Sequence, residues 1–406
     1  MKRPTLVHFL ALKTEESLNI KASVTMKENL LMSQPPQGFA REVAQGIVRE
    51  IEKELPKPSF PIQAYKLLSG TSFQIRILGL NEKQEIIFKK NYDTDSFGNL
   101  TFKIPLTKER KTIKALQVYE VGQEPGLELH LGTFIPLVIN NPKKIIICDF
   151  DKTLVDTKYS TTSELYRSLT KPLEYFPTVT KSVELLKSYI AEGYHPFILS
   201  ASPHFYEDAM RDWLYKNQIF TAGIFLKDYR QLFSLFELDL TPKDLKVQGL
   251  YKINQLIDIL LLTGIPQDLV LMGDNFESDP IIYLSLNSLL AETQDPWQLW
   301  NFLRKLKAFK MNKKQNSILL NKIYQISNLL SAIEKGEKDQ MKVKIFIRKK
   351  VSEDTIDVPA LLTPLKKNLS LYEGLPPGQA IAETKKLDEI AIEESVEEQK
   401  VRYNQH

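Results

Sequence analysis

Asp149-Phe150-Asp151-Lys152-Thr153 sets two carboxyls and a hydroxyl at alternate positions, directly after the apolar run Ile145-Ile146-Ile147-Cys148. A carboxylate such as Asp149 can attack phosphorus and form an aspartyl-phosphate, which divides one hard hydrolysis into two easier steps. A second carboxyl, Asp151, can protonate the leaving alkoxide and then take a proton from the water that cleaves the intermediate. Ser200 follows a second apolar run, Phe197-Ile198-Leu199, and offers a hydroxyl to a phosphoryl oxygen. A third run, Leu269-Val270-Leu271-Met272, ends in Gly273-Asp274 with Asp279 five residues on. Hard carboxylate oxygens of this kind suit a small hydrated cation such as Mg²⁺. Lys252 opens the helical pattern before that run and can neutralise phosphoryl charge in the transition state. An isolated D-x-D-x-T is a weak signal. The ordered series Ser200, Lys252 and Asp274 behind it makes a phosphoryl-transfer site the favoured reading. Each residue also has a plainer role open to it: Lys252 as a solvated helix-face residue, Asp279 as a helix cap before Pro280. Ser202 reads as a cap for the following helix, Cys148 as core, and His204 as a polar loop residue. Tyr159, Tyr166 and Tyr175 read as packing in a small cap.

Strands that are apolar on both faces belong to a parallel sheet covered by helices. Val183, Leu186, Tyr189 and Ile190 share a helical face that ends at Gly193. Ile253, Leu256, Ile257, Leu260 and Leu261 do the same before Gly264 and Pro266. The alternation predicts a doubly wound α/β domain over residues 142–295, with ligands beyond the carboxyl ends of its strands. Upstream the period is two: Phe73, Ile75 and Ile77; Phe102 and Ile104; Leu116 and Val118; Leu127, Leu129 and Leu131. With turns at Gly98-Asn99 and Pro125-Gly126, residues 58–141 predict a small antiparallel β-sandwich. Residues 1–57 predict a helical extension, with a helix over 39–55 (Val43, Ile47, Ile51) stopped by Pro56. Residues 296–337 read as a basic helical segment. Its stripe of Phe302, Leu303, Leu306 and Phe309, flanked by Arg304, Lys305, Lys307, Lys310, Lys313 and Lys314, suits packing on the neighbouring domain or an anionic bilayer, with packing favoured. Residues 338–406 read as a tail: 341–351 alternate like one more strand, and the polar, Glu-rich stretch from Lys385 predicts disorder.

A chain of 406 residues exceeds one ordinary core and argues for two or three domains. Its net charge of +4, from 54 basic and 50 acidic residues, argues against a nucleic-acid partner. One cysteine excludes an internal disulfide framework and a cysteine-rich zinc site, which fits a cytoplasmic location. Residues 4–12 are apolar, but they carry His8 and run into Lys13-Thr14-Glu15-Glu16 without a small-residue cleavage site, unlike a secretory signal. No segment approaches the roughly 20 apolar residues that span a bilayer, so any membrane contact is expected to be peripheral.

The four groups match, in order and kind, the motifs of the haloacid dehalogenase (HAD) superfamily. Ser200-Ala201-Ser202-Pro203 and Gly273-Asp274-Asn275-Phe276-Glu277-Ser278-Asp279-Pro280-Ile281-Ile282-Tyr283 resemble its phosphatidate phosphatase catalytic-domain family, of the yeast actin-patch-protein type. The resemblance spans about residues 142–290. It implies Asp149 as nucleophile, Asp151 as acid/base and Lys252 as the third-motif lysine. It also implies Thr153 bracing the loop and lining the substrate site with Ser200. A Mg²⁺ site would draw on Asp149, Asp151, Asp274 and, through water or from the second shell, Asp279. Aspartate at Asp151 marks phosphatases within the superfamily. The implied reaction is Mg²⁺-dependent conversion of phosphatidate, at a membrane surface, to diacylglycerol and phosphate. Lys152, Ala201, His204 and Phe276 depart from the family pattern and border the mouth of the site. The alternatives are a phosphatase of a soluble phosphate ester or phosphoprotein, and a membrane-associated binding protein without turnover.

Overall fold

Alternation of apolar and polar residues builds the first part of the computed structural model, which describes residues 3–27, 72–122, 128–157, 173, 176–203, 206–227, 249–276, 278–306, 309, 313–349 and 356–373. The strands are β1 (Arg3–Lys13), β2 (Ser17–Lys27), β3 (Gln74–Leu80), β4 (Ile86–Asp93), β5 (Asn99–Pro105), β6 (Ala115–Val121), β7 (Glu128–Phe134) and β8 (Leu137–Val138). They form two four-stranded sheets, ordered β5-β2-β1-β8 and β4-β3-β6-β7. Leu18, Ile20, Ala22 and Val24 of one sheet share a buried cluster with Ile75, Ile77, Leu116 and Val118 of the other. Gly98 makes the turn into β5 with a φ of +75°, and a Cβ there would lie 2.0 Å from the Val24 carbonyl oxygen. Leu129, expected to face the core, is 37% exposed on the edge strand β7. Leu127 and the Pro125-Gly126 turn lie outside the described residues.

The predicted helical extension is corrected at its start, where residues 3–27 are two paired strands. The signal was present in Leu18, Ile20, Ala22 and Val24, which alternate with polar neighbours. The helix expected over 39–55 lies outside the described residues.

The second part is the parallel sheet. It comprises β9 (Lys144–Asp149), β10 (His195–Pro203), β11 (Gly223–Lys227), β12 (Asp268–Asp274), β13 (Lys342–Arg348) and β14 (Leu369–Tyr372), in the order β11-β10-β9-β12-β13-β14. Helices α1 (Thr180–Ala191) and α2 (Glu207–Lys216) cover one face; α3 (Gly249–Thr263), α4 (Asp279–Leu290), α5 (Pro296–Leu303) and α6 (Lys313–Ser331) cover the other. The α/β class is as predicted. The extent is not, because β13 and β14 carry the sheet to residue 372, well past 295. Lys342 and Lys344 interrupt β13 as on an exposed edge, yet Ile345 and Ile347 are fully buried. The basic segment after 295 packs on the same core through Leu303, Phe309, Leu319, Ile323, Ile326 and Leu330. The Glu-rich stretch lies outside the described residues.

The sandwich is built into the α/β half. Leu10, Leu12 and Ile139 belong to the cluster beneath α3–α6, and Asn19 Nδ2 donates to the Leu262 carbonyl at 2.6 Å. His8 Nδ1 meets the buried Glu207 carboxylate at 3.1 Å, and Arg211 Nε donates to it at 3.0 Å. Burial alone would raise the Glu207 pKa. The His8 hydrogen bond and charge, aided by Arg211, outweigh it and hold the carboxyl below its ordinary 4.5. A depressed carboxyl stabilises the fold above its unfolded value and loses that contribution as pH falls through the folded one. Glu207→Gln is therefore expected to lower stability by about 2 kcal/mol near neutral pH. The gap from wild type should narrow below the ordinary value of 4.5. Denaturant midpoints measured down the pH series check this, and a gap independent of pH would refute it.

Candidate active site

Strand order reverses between β9 and β12, and ligands bind at the carboxyl edge beside such a reversal. Asp149 ends β9, Asp274 ends β12, and Ser200 lies one residue past the Leu199↔Asp149 pairing of β10 with β9. Asp149 is 1% exposed. Thr153 Oγ1 donates to its Oδ2 at 3.2 Å, across a tight loop in which Leu154 N donates to the Phe150 carbonyl at 2.9 Å. Lys252, in the first turn of α3 and also 1% exposed, sets Nζ 2.9 Å from Asp149 Oδ1 and 2.6 Å from Asp279 Oδ1. Asp279 Oδ2 accepts from the Asp274 backbone N at 3.4 Å, and Asp274 Oδ1 accepts from Phe276 N at 2.5 Å. One carboxylate oxygen each of Asp149, Asp274 and Asp279 lie within 4.8 Å of one another.

Two features make this approach possible. At Gly273 a Cβ would fall 2.5 Å from Asp279 Oδ2 and 2.7 Å from the Tyr283 ring, so no other residue fits there without displacing Asp279. Tyr283 is fixed in turn by donating to the Met272 carbonyl at 2.9 Å. The pocket is buried and negative. Burial, then the Asp149 and Asp279 charges, push the Cys148 thiol well up; burial, then the Asp279 and Asp149 charges, do the same to the Tyr283 hydroxyl.

Asp151 is not among the three grouped carboxylates, contrary to the expected metal set. Its Oδ2 accepts from Ser200 Oγ at 2.6 Å and Ser202 Oγ at 2.9 Å, and its Oδ1 accepts from Thr157 Oγ1 at 3.2 Å. Two of these donors, Ser200 and Ser202, lie on β10 and draw it that way. Ser200 spends its one hydroxyl proton on Asp151 and accepts from Ser202 N at 2.9 Å. Asp279, expected as an outer ligand or a cap, instead grips Lys252 inside the group; α4 has Ser278 at its N-cap without a side-chain hydrogen bond.

Ser202 does not cap α2, whose N-cap is Tyr206. Its place was legible: residues two apart on a strand point to one face, so Ser202 follows Ser200 to Asp151. Thr157 and Arg348 were also missed. Arg348 pairs in register with Asp274 at the end of β13. Tyr159, Tyr166, Tyr175, His204 and Glu277 lie outside the described residues.

Residues 144–294 match the family described as phosphatidate phosphatase APP1, catalytic domain. Over these residues the chain is similar to that family, and the rest of it lies outside the match. The APP1 segment runs from β9 through α4 and holds every candidate residue from Asp149 to Asp279; β13 and β14 lie beyond it. The similarity points to phosphatase chemistry in this segment. No curated protein matches it. A solved calcium-binding mutant of Bacteroides uniformis beta-glucuronidase 2 is 10% identical over 85% of this chain and 33% of that one, with a TM-score of 0.22. The chain spans about a third of that enzyme's length, and a likeness so low carries no argument.

Proposed function

We propose that the chain hydrolyses a phosphomonoester through an aspartyl-phosphate on Asp149, with phosphatidate as substrate and diacylglycerol and phosphate as products. The observation that supports this most is the group of Asp149, Asp274 and Asp279 around Lys252 at the reversal of the sheet. Its three hard oxygens fit Mg²⁺, which keeps several waters and takes the rest of its shell from protein and phosphoryl oxygens. Bound there by Asp149 and Asp274, with Asp279 adjacent, Mg²⁺ would supply charge stabilisation for the phosphoryl oxygens.

In the proposed reaction an Asp149 carboxylate oxygen bonds to phosphorus as the ester P–O bond breaks. Asp151 gives its proton to the leaving alkoxide, then takes one from a water whose oxygen attacks phosphorus; the Asp149–phosphorus bond breaks and phosphate leaves. Lys252 holds Asp149 in line and offsets the added charge. Thr157, Ser200 and Ser202 hold the Asp151 carboxylate in place through their hydroxyls. Phe276, 39% exposed beside Asp274, offers an apolar surface at this edge for an acyl chain.

Among the described residues no helix is long and apolar enough to cross a membrane. Action on phosphatidate is therefore proposed as peripheral, at a membrane's cytoplasmic surface. Phosphate release from phosphatidate in mixed micelles and from a panel of soluble phosphate esters and phosphoproteins tests the reading, with Mg²⁺ and with EDTA. Phosphatidate is expected to be turned over fastest, EDTA to stop the reaction and Mg²⁺ to restore it. Faster turnover of a soluble ester or phosphoprotein would overturn the lipid assignment; no turnover of any substrate would overturn the enzyme.

A further inference from the structure

We infer that Arg348 is a positioning residue for phosphoryl transfer, clamping the loop that carries Asp149 and Asp151 against the loop that carries Asp274. This rests on the reading above but lies outside the family segment, which ends at residue 294. Arg348 is the last residue of β13, paired in register with Asp274, and is 6% exposed. Its own carbonyl accepts from Asn275 N at 2.9 Å, which fixes the backbone just after Asp274. Its guanidinium reaches the other way. Nη1 donates to the Lys152 carbonyl at 2.6 Å and lies 2.8 Å from Asp156 Oδ1. The same group lies over the Phe276 ring, 5.4 Å from its centroid.

Both ends of the first loop are thereby tied. Lys152, midway between Asp151 and Thr153, has a φ of +60°, a left-handed conformation that a non-glycine residue adopts only when its surroundings hold it. Asp156 is held from behind by its backbone N donating to the Pro177 carbonyl at 2.8 Å. A planar guanidinium can donate to two acceptors while stacking on an aromatic ring; an ammonium cannot do both in a fixed geometry. One side chain therefore sets the distance between the Asp149–Asp151 loop and the Asp274–Phe276 loop. Reacting groups displaced by about 1 Å lose on the order of 100-fold in rate.

The test compares Arg348→Met, Arg348→Lys, Asp156→Ala and the Arg348→Met/Asp156→Ala pair with wild type and Asp149→Asn, all as the full chain with Mg²⁺. The substrate is whichever phosphomonoester wild type turns over. In folded Arg348→Met, kcat is expected to fall at least about 30-fold with KM within about 2-fold, because the lost interaction acts on the reacting geometry rather than on substrate binding. Arg348→Lys should recover part of the loss. The pair should be no slower than Arg348→Met alone, since both changes break one contact. A merely structural role would move the melting temperature and leave kcat of the folded protein unchanged. Should Arg348→Met fail to fold, Arg348→Lys and Asp156→Ala carry the same comparison. Wild-type kcat in the folded variants, with Asp149→Asn inactive, would refute the clamp alone; an active Asp149→Asn would refute the clamp and the proposed mechanism together.

Discussion

Asp149→Asn is expected to lose at least about 10⁴-fold in kcat on any phosphomonoester that wild type hydrolyses, because the amide cannot form the covalent intermediate and nucleophile removal is among the most damaging changes an enzyme can suffer. The substitution is nearly isosteric, and the fold should survive it. Thr153 Oγ1 can still donate to the remaining amide oxygen, and Lys252 keeps its 2.6 Å contact with Asp279 Oδ1. Wild-type circular dichroism together with absent phosphate release is the expected pair of results. Rapid-quench trapping of ³²P-phosphoryl enzyme supplies a second readout: label on wild type, none on the variant. Undiminished turnover would remove Asp149 from the mechanism.

Lys252→Met should damage both stability and activity. Lys252 Nζ is the ammonium that meets both Asp149 and Asp279, in a pocket where all three side chains are almost wholly buried. Removing one member of such a group leaves uncompensated buried charge and costs about 3–5 kcal/mol. Loss of a preorganised positive charge facing the phosphoryl oxygens should lower kcat by a further factor of about 10²–10³. The destabilisation has a signature. A cation bound among the three carboxylates replaces part of the lost charge, so Mg²⁺ should raise the variant's melting temperature more than it raises that of wild type. A variant as stable as wild type in EDTA would show that the ammonium is not balancing the pocket.

The α/β class and the order of the chemical groups were legible because both depend on short-range pattern. Uninterrupted apolar runs ending in Asp149, Ser200 and Gly273-Asp274 specify buried parallel strands and where they stop. Side-chain direction was harder. At Asp151, in a loop, no period fixes which way the carboxylate turns, and three hydroxyls from Thr157, Ser200 and Ser202 draw it from the grouped acids. Asp279 was legible as acidic but not as the partner of Lys252, a contact made across 27 residues. One strand was missed and another was misplaced. β1 is apolar on both faces because Ala11 packs in the sandwich while Leu10 and Leu12 pack in the core of the α/β half, so it shows no alternation. β13 was legible as a strand from its alternation over 341–351; what was missed is that it joins the parallel sheet and brings Arg348 level with Asp274.

Leu10 and Leu12 share one core with Ile253, Leu256 and Leu260, some 240 residues further along the chain. At about 5–20 residues per second the first hairpin waits on the order of 12–50 s before that surface exists. Until then one side of β1 is an uncovered apolar strip on a nascent polypeptide, the kind of segment that holdase chaperones bind. Cutting the gene just ahead of β9 creates the mirror-image problem: the α/β half would emerge with a trough in its core where the two leucines belong. Such a fragment should partition into inclusion bodies, whereas co-expression with the missing N-terminal piece should return it to the supernatant.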